Sequence, residues 1–136
     1  MPWKFNSYEA VFIQIASRLR GEILRGKYKP DQQIPPVRQL AFDAAVNPNT
    51  MQKALTLLED EGLLYSRGTV GRFVTTDTAV LERCRETVRK DAVRHWMEEA
   101  RELGITKEEL MNYIEQEGGV EDEKTADDSI ADGGNA

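Results

Sequence analysis

The chain has 136 residues, about one domain's length, with 40% hydrophobic residues and a net charge of −6 from 18 Lys+Arg against 24 Asp+Glu; taken whole, that acidic sum argues against a nucleic-acid partner. No apolar run approaches the ~20 residues that span a bilayer, the N-terminus lacks a secretory layout, and the single cysteine, Cys84, can form no internal disulfide, so a reducing, cytoplasmic location without a membrane partner is expected. The sum hides an asymmetry, because residues 1–76 carry 10 basic and 7 acidic side chains (+3) while residues 77–136 carry 8 and 17 (−9). A partner feels the local field, since charges are largely screened beyond about 8 Å at physiological salt.

The first periodic segment runs from about Tyr8 to Leu24. Val11, Ile15, Leu19 and Ile23 recur every fourth residue, Phe12, Ala16 and Leu24 widen the stripe, and Arg18, Arg20 and Glu22 lie off it, as an amphipathic helix requires. Ser7 is placed to cap it and Gly26 to end it. The stretch from Gly26 to Pro36 is punctuated as a loop and leads into a short helix of about Val37 to Ala45. Asn47 follows as an N-cap, with Pro48 at the first position of a third helix through Glu61, whose inner face is Met51, Ala54, Leu55 and Leu58.

From Leu63 the period changes. Leu-Leu-Tyr and Arg-Phe-Val-Thr, around a glycine-bearing turn, predict a β-hairpin. Thr78 to Leu103 returns to helix, with Leu81, Cys84, Val88, Ala92, Trp96, Ala100 and Leu103 spaced three or four apart. Thr106 and Glu109 have capping-box spacing for a last helix to about Glu117. From Gly118 the composition is that of an acidic disordered tail.

Helix, short helix, turn, helix, hairpin is the order of a winged helix-turn-helix, in which the helix after the turn enters a major groove about 12 Å wide. The expected fold is mainly α with a small β-hairpin wing, followed by a short α-helical dimerisation region. The domains are expected at 1–76 (winged helix-turn-helix, DNA-binding), 77–117 (dimerisation) and 118–136 (tail). Ala41, Ala44 and Ala45 are placed to let the two short helices approach closely. The outward residues of the third helix are Asn49, Gln52, Lys53 and Thr56. Asn and Gln can pair with adenine, and Lys reaches guanine or phosphate. Arg67 and Arg72 flank the wing's glycine turn, where they are expected to meet DNA phosphate rather than serve as edge-guarding charges.

Several segments together resemble one family. Val11-Phe-Ile-Gln-Ile-Ala-Ser-Arg-Leu-Arg-Gly-Glu-Ile-Leu-Arg-Gly, Ile34-Pro-Pro-Val-Arg-Gln-Leu-Ala, Val46-Asn-Pro-Asn-Thr-Met-Gln-Lys-Ala-Leu, Leu57-Leu-Glu-Asp-Glu-Gly-Leu-Leu and Gly71-Arg-Phe-Val resemble the DNA-binding domain of GntR-family bacterial regulators, over roughly residues 8–76. The short helical C-terminus and Asn47-Pro-Asn-Thr resemble the YtrA subfamily, whose members are dimeric repressors, often of neighbouring ABC-transporter operons. The resemblance implies that Arg38 meets the DNA backbone, that Asn49, Thr50 and Gln52 contact bases, and that Gly71 is the wing glycine at the minor groove. The sequence departs from the family at Pro48, where many members have arginine, at Pro36 in place of a serine cap, and at Asp31 in place of a common glycine.

The apolar stripe from Leu81 to Leu103 is longer than one small winged domain covers, so a homodimer bound to a double-stranded DNA operator is expected. Trp96 and Met97 read as packing between subunits rather than as a ligand pocket. Cys84 reads as a small buried hydrophobe, and His95 as a surface or packing residue. Glu98-Glu99 and the acidic run from Glu121 lack the spacing of a metal site. One His, one Cys and no phosphate-binding glycine loop leave no catalytic constellation, so no enzyme, cofactor or metal is expected, and the sequence names no effector. The competing expectation is a winged-helix module that binds protein through its acidic half, with no sequence-specific DNA binding.

Overall fold

The structure, a computed structural model, describes residues 2–118. Seven elements follow in chain order: α1 (Val11–Leu24), α2 (Val37–Ala44), α3 (Pro48–Asp60), β1 (Leu64–Arg67), β2 (Gly71–Val74), α4 (Thr78–Glu102) and α5 (Lys107–Gln116). They fall into two compact units, one reaching Val88 and the other starting at Arg89, with α4 running through both. The tail expected from residue 118 lies, from 119 onward, outside the described residues. Among the described residues no helix is long and apolar enough to cross a membrane.

The first unit is a winged helix-turn-helix. Ile15, Leu19 and Ile23 of α1, Leu40, Ala41 and Ala44 of α2, and Met51, Ala54, Leu55 and Leu58 of α3 form one buried cluster, closed by Leu63, Leu64, Val74 and Leu81. Asn47 caps α3 as expected, its side chain accepting the Asn49 N–H at 2.7 Å with Pro48 in the first turn. Asn47→Ala should therefore lower stability by about 1 kcal/mol, measurable as a fall in the urea midpoint; no change would mean that water replaces the cap without cost.

Several local expectations are corrected. Helix α1 begins at Val11 rather than Tyr8, and Ala10, not Ser7, is its N-cap, with no side-chain bond. The reason is a competing turn. Asn6 Oδ1 accepts the N–H groups of Tyr8 and Glu9, while Gln14 bonds back to Asn6 and Glu9, holding the lead-in outside the helix. Val11 consequently lies at the exposed end of the stripe. Glu22, expected on the outer face, is buried, and Lys27 folds back over it at 2.7 Å. Ala45 is exposed and serves as the left-handed C-cap of α2 (φ 59°), so Ala41 and Ala44 alone supply the close approach.

Strands β1 and β2 pair antiparallel, with Leu64 opposite Val74 and Arg67 opposite Gly71. The loop before α2 is more ordered than its punctuation implies. Asp31 and Ile34 donate to Val74 and Arg72 carbonyls at 2.8 and 3.0 Å, and Val74 donates to Gln32 at 2.9 Å. These bonds lay residues 31–34 along the edge of β2 and shield that edge.

In the second unit, the end of α4 turns into α5 through Gly104 (φ 74°), with the Ile105 N–H reaching the Ala100 carbonyl at 2.9 Å, a left-handed helix stop. Thr106 and Glu109 form the expected capping box. Accepting the Thr106 N–H holds the Glu109 carboxyl below its ordinary range, so the cap is intact above that range and weakens as pH falls through the lowered value.

Candidate nucleic-acid interface

The turn Ala45–Asn47 leads into α3, and burial of Met51, Ala54, Leu55 and Leu58 fixes which side faces outward. Asn49, Gln52, Lys53 and Thr56 consequently line one shallow outer groove, together with Phe12 and Asp60. Asn49 and Gln52 are exposed, and Thr50 is half-buried beside the cap. The positive end of the α3 helix dipole lies at this end of the groove, although its first-turn N–H groups are engaged within the protein: Pro48 has none, Asn49 donates to the Asn47 side chain, and Thr50 and Met51 donate to the Asn47 carbonyl. The Lys53 ammonium rests over the Phe12 ring, 4.5 Å from its centroid, which draws it toward α1. Arg38 is exposed at the second position of α2 and, among the described residues, has no ion-pair partner.

The wing arginines are engaged within the protein. Arg67 donates to Asp31 and to the Tyr65 hydroxyl, both at 2.7 Å, and its guanidinium stacks over the Phe73 ring at 4.1 Å. The Tyr65 hydroxyl itself donates to Asp31, and the Tyr65 and Phe73 rings stack at 5.7 Å. On the other side of the hairpin, Arg72 donates to Glu59 of α3, which also accepts from Ser66 at 3.2 Å. Glu59 thus ties the wing to the helix whose outer face carries Asn49, Gln52 and Lys53. Gly71 lies at φ 141°, and a Cβ there would come within 2.6 Å of the Gln33 amide, which donates to the Val70 carbonyl at 2.8 Å. The Gln33 side-chain end can move aside, but the positive φ by itself favours glycine at this position.

Phe12, Glu59 and Asp31 were not singled out as site residues by pattern, because each acts through a partner distant in sequence. Only Asp31 left a signal, as an acidic residue in a turn that favours glycine; it adopts φ 67°.

The seven residues of the expected seam do not behave alike. Leu81 belongs to the core cluster of the first unit, and Cys84 packs against it. Burial pushes the Cys84 thiol up from its ordinary value, which keeps it protonated and slow to react. Val88 is exposed. In the second unit Ala92 is half-buried and Ala100 is buried. Trp96 and Leu103 remain 57% and 78% exposed, so the apolar surface left open centres on the later part of the stripe. There Val93, Trp96, Met97, Leu110, Tyr113 and Ile114 line an apolar groove between the end of α4 and α5. No residue of α5 is buried. His95 pairs with Glu99 on the helix surface at 2.9 Å. Among the described residues no group of three or more His, Cys, Asp or Glu could hold a metal ion.

Comparisons with known proteins agree with this architecture. Residues 13–74 match the profile of the bacterial regulatory proteins of the gntR family. The uncharacterized HTH-type transcriptional regulator YhcF of Bacillus subtilis (strain 168) is 28% identical over 111 residues, covering 82% of this chain and 92% of that protein. The HTH-type transcriptional repressor YtrA of the same organism is 28% identical over 112 residues, covering 82% and 86%. A solved GntR family transcriptional regulator from Listeria monocytogenes superposes with a TM-score of 0.76 at 28% identity, over 82% of this chain and 98% of that one. These relatives are regulators and match nearly end to end, so the likeness extends beyond the winged unit. Residues 13–74 thus carry a gntR-family domain, and over most of its length the chain is similar to transcriptional regulators of that kind.

Proposed function

We propose that the protein is a homodimeric cytoplasmic repressor that binds an inverted-repeat operator. The observation that carries this reading is the outer face of α3, where Asn49, Gln52, Lys53 and Thr56 share one groove next to a helix N-terminus. Arg38 anchors the head on phosphate, while Asn49, Thr50 and Gln52 read bases. The exposed apolar groove of the second unit supplies the subunit contact, because apolar surface of this kind gains most by being covered. A two-fold axis then sets two reading helices on half-sites one helical turn, ~34 Å, or a multiple of it apart. Repression as the mode of action, and an ABC-transporter operon as target, follow the resemblance to YtrA.

Selection of duplexes by the full chain, followed by sequencing, tests the operator; an inverted repeat is expected, and recovery of unrelated sequences would reject base reading. On the selected site, Gln52→Ala should cost about 1–3 kcal/mol and relax preference at one base position. Arg38→Ala should weaken binding to all sequences alike and flatten the dependence of log affinity on log salt by about 0.9. Interchanged profiles for these two variants would overturn the division into reading and anchoring residues.

A further inference from the structure

Both arginines of the wing have internal counter-anions, whereas Arg38 on α2 has none among the described residues. The arrangement at Arg67 is the more telling. Asp31 holds a left-handed backbone conformation (φ 67°), which side-chain-bearing residues rarely adopt. Its N–H is fixed to the Val74 carbonyl at 2.8 Å, and its Oδ1 accepts from both Arg67 and the Tyr65 hydroxyl. That carboxylate is half-exposed, and so is Arg67 (51% and 48%). The pair therefore faces solvent on the wing rather than filling a core, and the cation is cancelled where a wing would meet phosphate.

We infer that Asp31 sets the affinity of this protein for duplex DNA by neutralising Arg67, so that the wing reaches the backbone with its charge already satisfied. This inference rests on the proposed DNA-binding role of the winged unit. Bringing Arg67 to a phosphate requires the guanidinium to exchange Asp31 for the phosphate, or the phosphate to approach a carboxylate; either lowers the yield of the contact. Stacking on Phe73 and the Tyr65 hydroxyl hold the guanidinium in place without Asp31, which leaves a positioned cation once the carboxylate charge is removed.

Asp31→Asn tests this, because Asn tolerates the left-handed conformation and keeps an acceptor oxygen while losing the charge. Asp31→Gly is a second variant, for which φ 67° is unstrained. Binding of the full chain to a labelled mixed-sequence duplex is measured from low to physiological salt, so that no operator need be known. Both variants should bind more tightly than wild type at low salt, with a log–log salt slope steeper by about 0.9, one additional phosphate contact. The double variant D31N/R67Q should lose that gain. A slope equal to wild type in both single variants, or a gain that survives in the double variant, overturns the inference. Failure of the wild-type chain to bind any duplex would instead reject the DNA-binding role itself.

Discussion

Shortening the chain to residues 1–88 will leave a folded, monomeric winged unit that binds its operator about 10²–10⁴-fold more weakly than the full chain. The factor is the avidity of two coupled heads, which linkage through a subunit contact supplies without any new DNA contact. The cut belongs after Val88 because the first compact unit extends that far. Leu81 is only 8% exposed within its core, and Cys84 packs against the same cluster. A chain ending at Thr76, the boundary read from the sequence, loses both and should melt at a lower temperature than the 1–88 chain. Trp96→Ala makes the same test within the full chain, since a large aromatic in an apolar contact is a typical hot spot. Sedimentation should show the variant dissociating at concentrations where wild type is dimeric. A full chain that sediments as a monomer at micromolar concentration with undiminished operator affinity would reject the dimer.

Where sequence pattern and structure agree, the reason is locality. Asn47-Pro48 at the start of α3, Thr106 with Glu109 at the start of α5, and the glycine after α4 each act within a few residues, and each is found as expected. The inner face of α3 is legible for the same reason, because helical period alone assigns Met51, Leu55 and Leu58 inward and Gln52 and Lys53 outward. What period does not contain is pairing across the fold. Nothing near Arg72 in sequence announces Glu59, 13 residues earlier, and Arg67 meets Asp31 across 36 residues. The two wing arginines therefore read as free cations until the fold sets a carboxylate beside each. Glu22 is the converse case, since an acidic residue off the stripe reads as solvated, yet the fold buries it and pairs it with Lys27. The α4 stripe illustrates a third limit. An unbroken period shows that one helix face is apolar, but Leu81 is covered by its own unit while Trp96 is open, and only tertiary packing separates the two.

Leu55→Ala should lower stability by about 2–5 kcal/mol, a large loss for a single side chain. Leu55 is fully buried on α3 among Ile15, Met51 and Leu58, which are also closed to solvent. Its removal leaves a cavity that neighbours on three helices can only partly fill. Against a total of about 5–15 kcal/mol for an ordinary domain, that loss should reduce the urea midpoint by a large fraction while the slope of the transition stays unchanged. A changed slope would mean that the variant alters the compactness of the folded or unfolded state rather than its packing. The consequence for binding separates two roles of the core. Gln52 and Thr56 stand on the outer side of the same helix turn, so if the core serves only to keep the unit folded, operator affinity well below the melting temperature should match wild type. A loss of affinity beyond the unfolded fraction, confined to the base position assigned to Gln52, would show that close packing under α3 also fixes the register of its reading face.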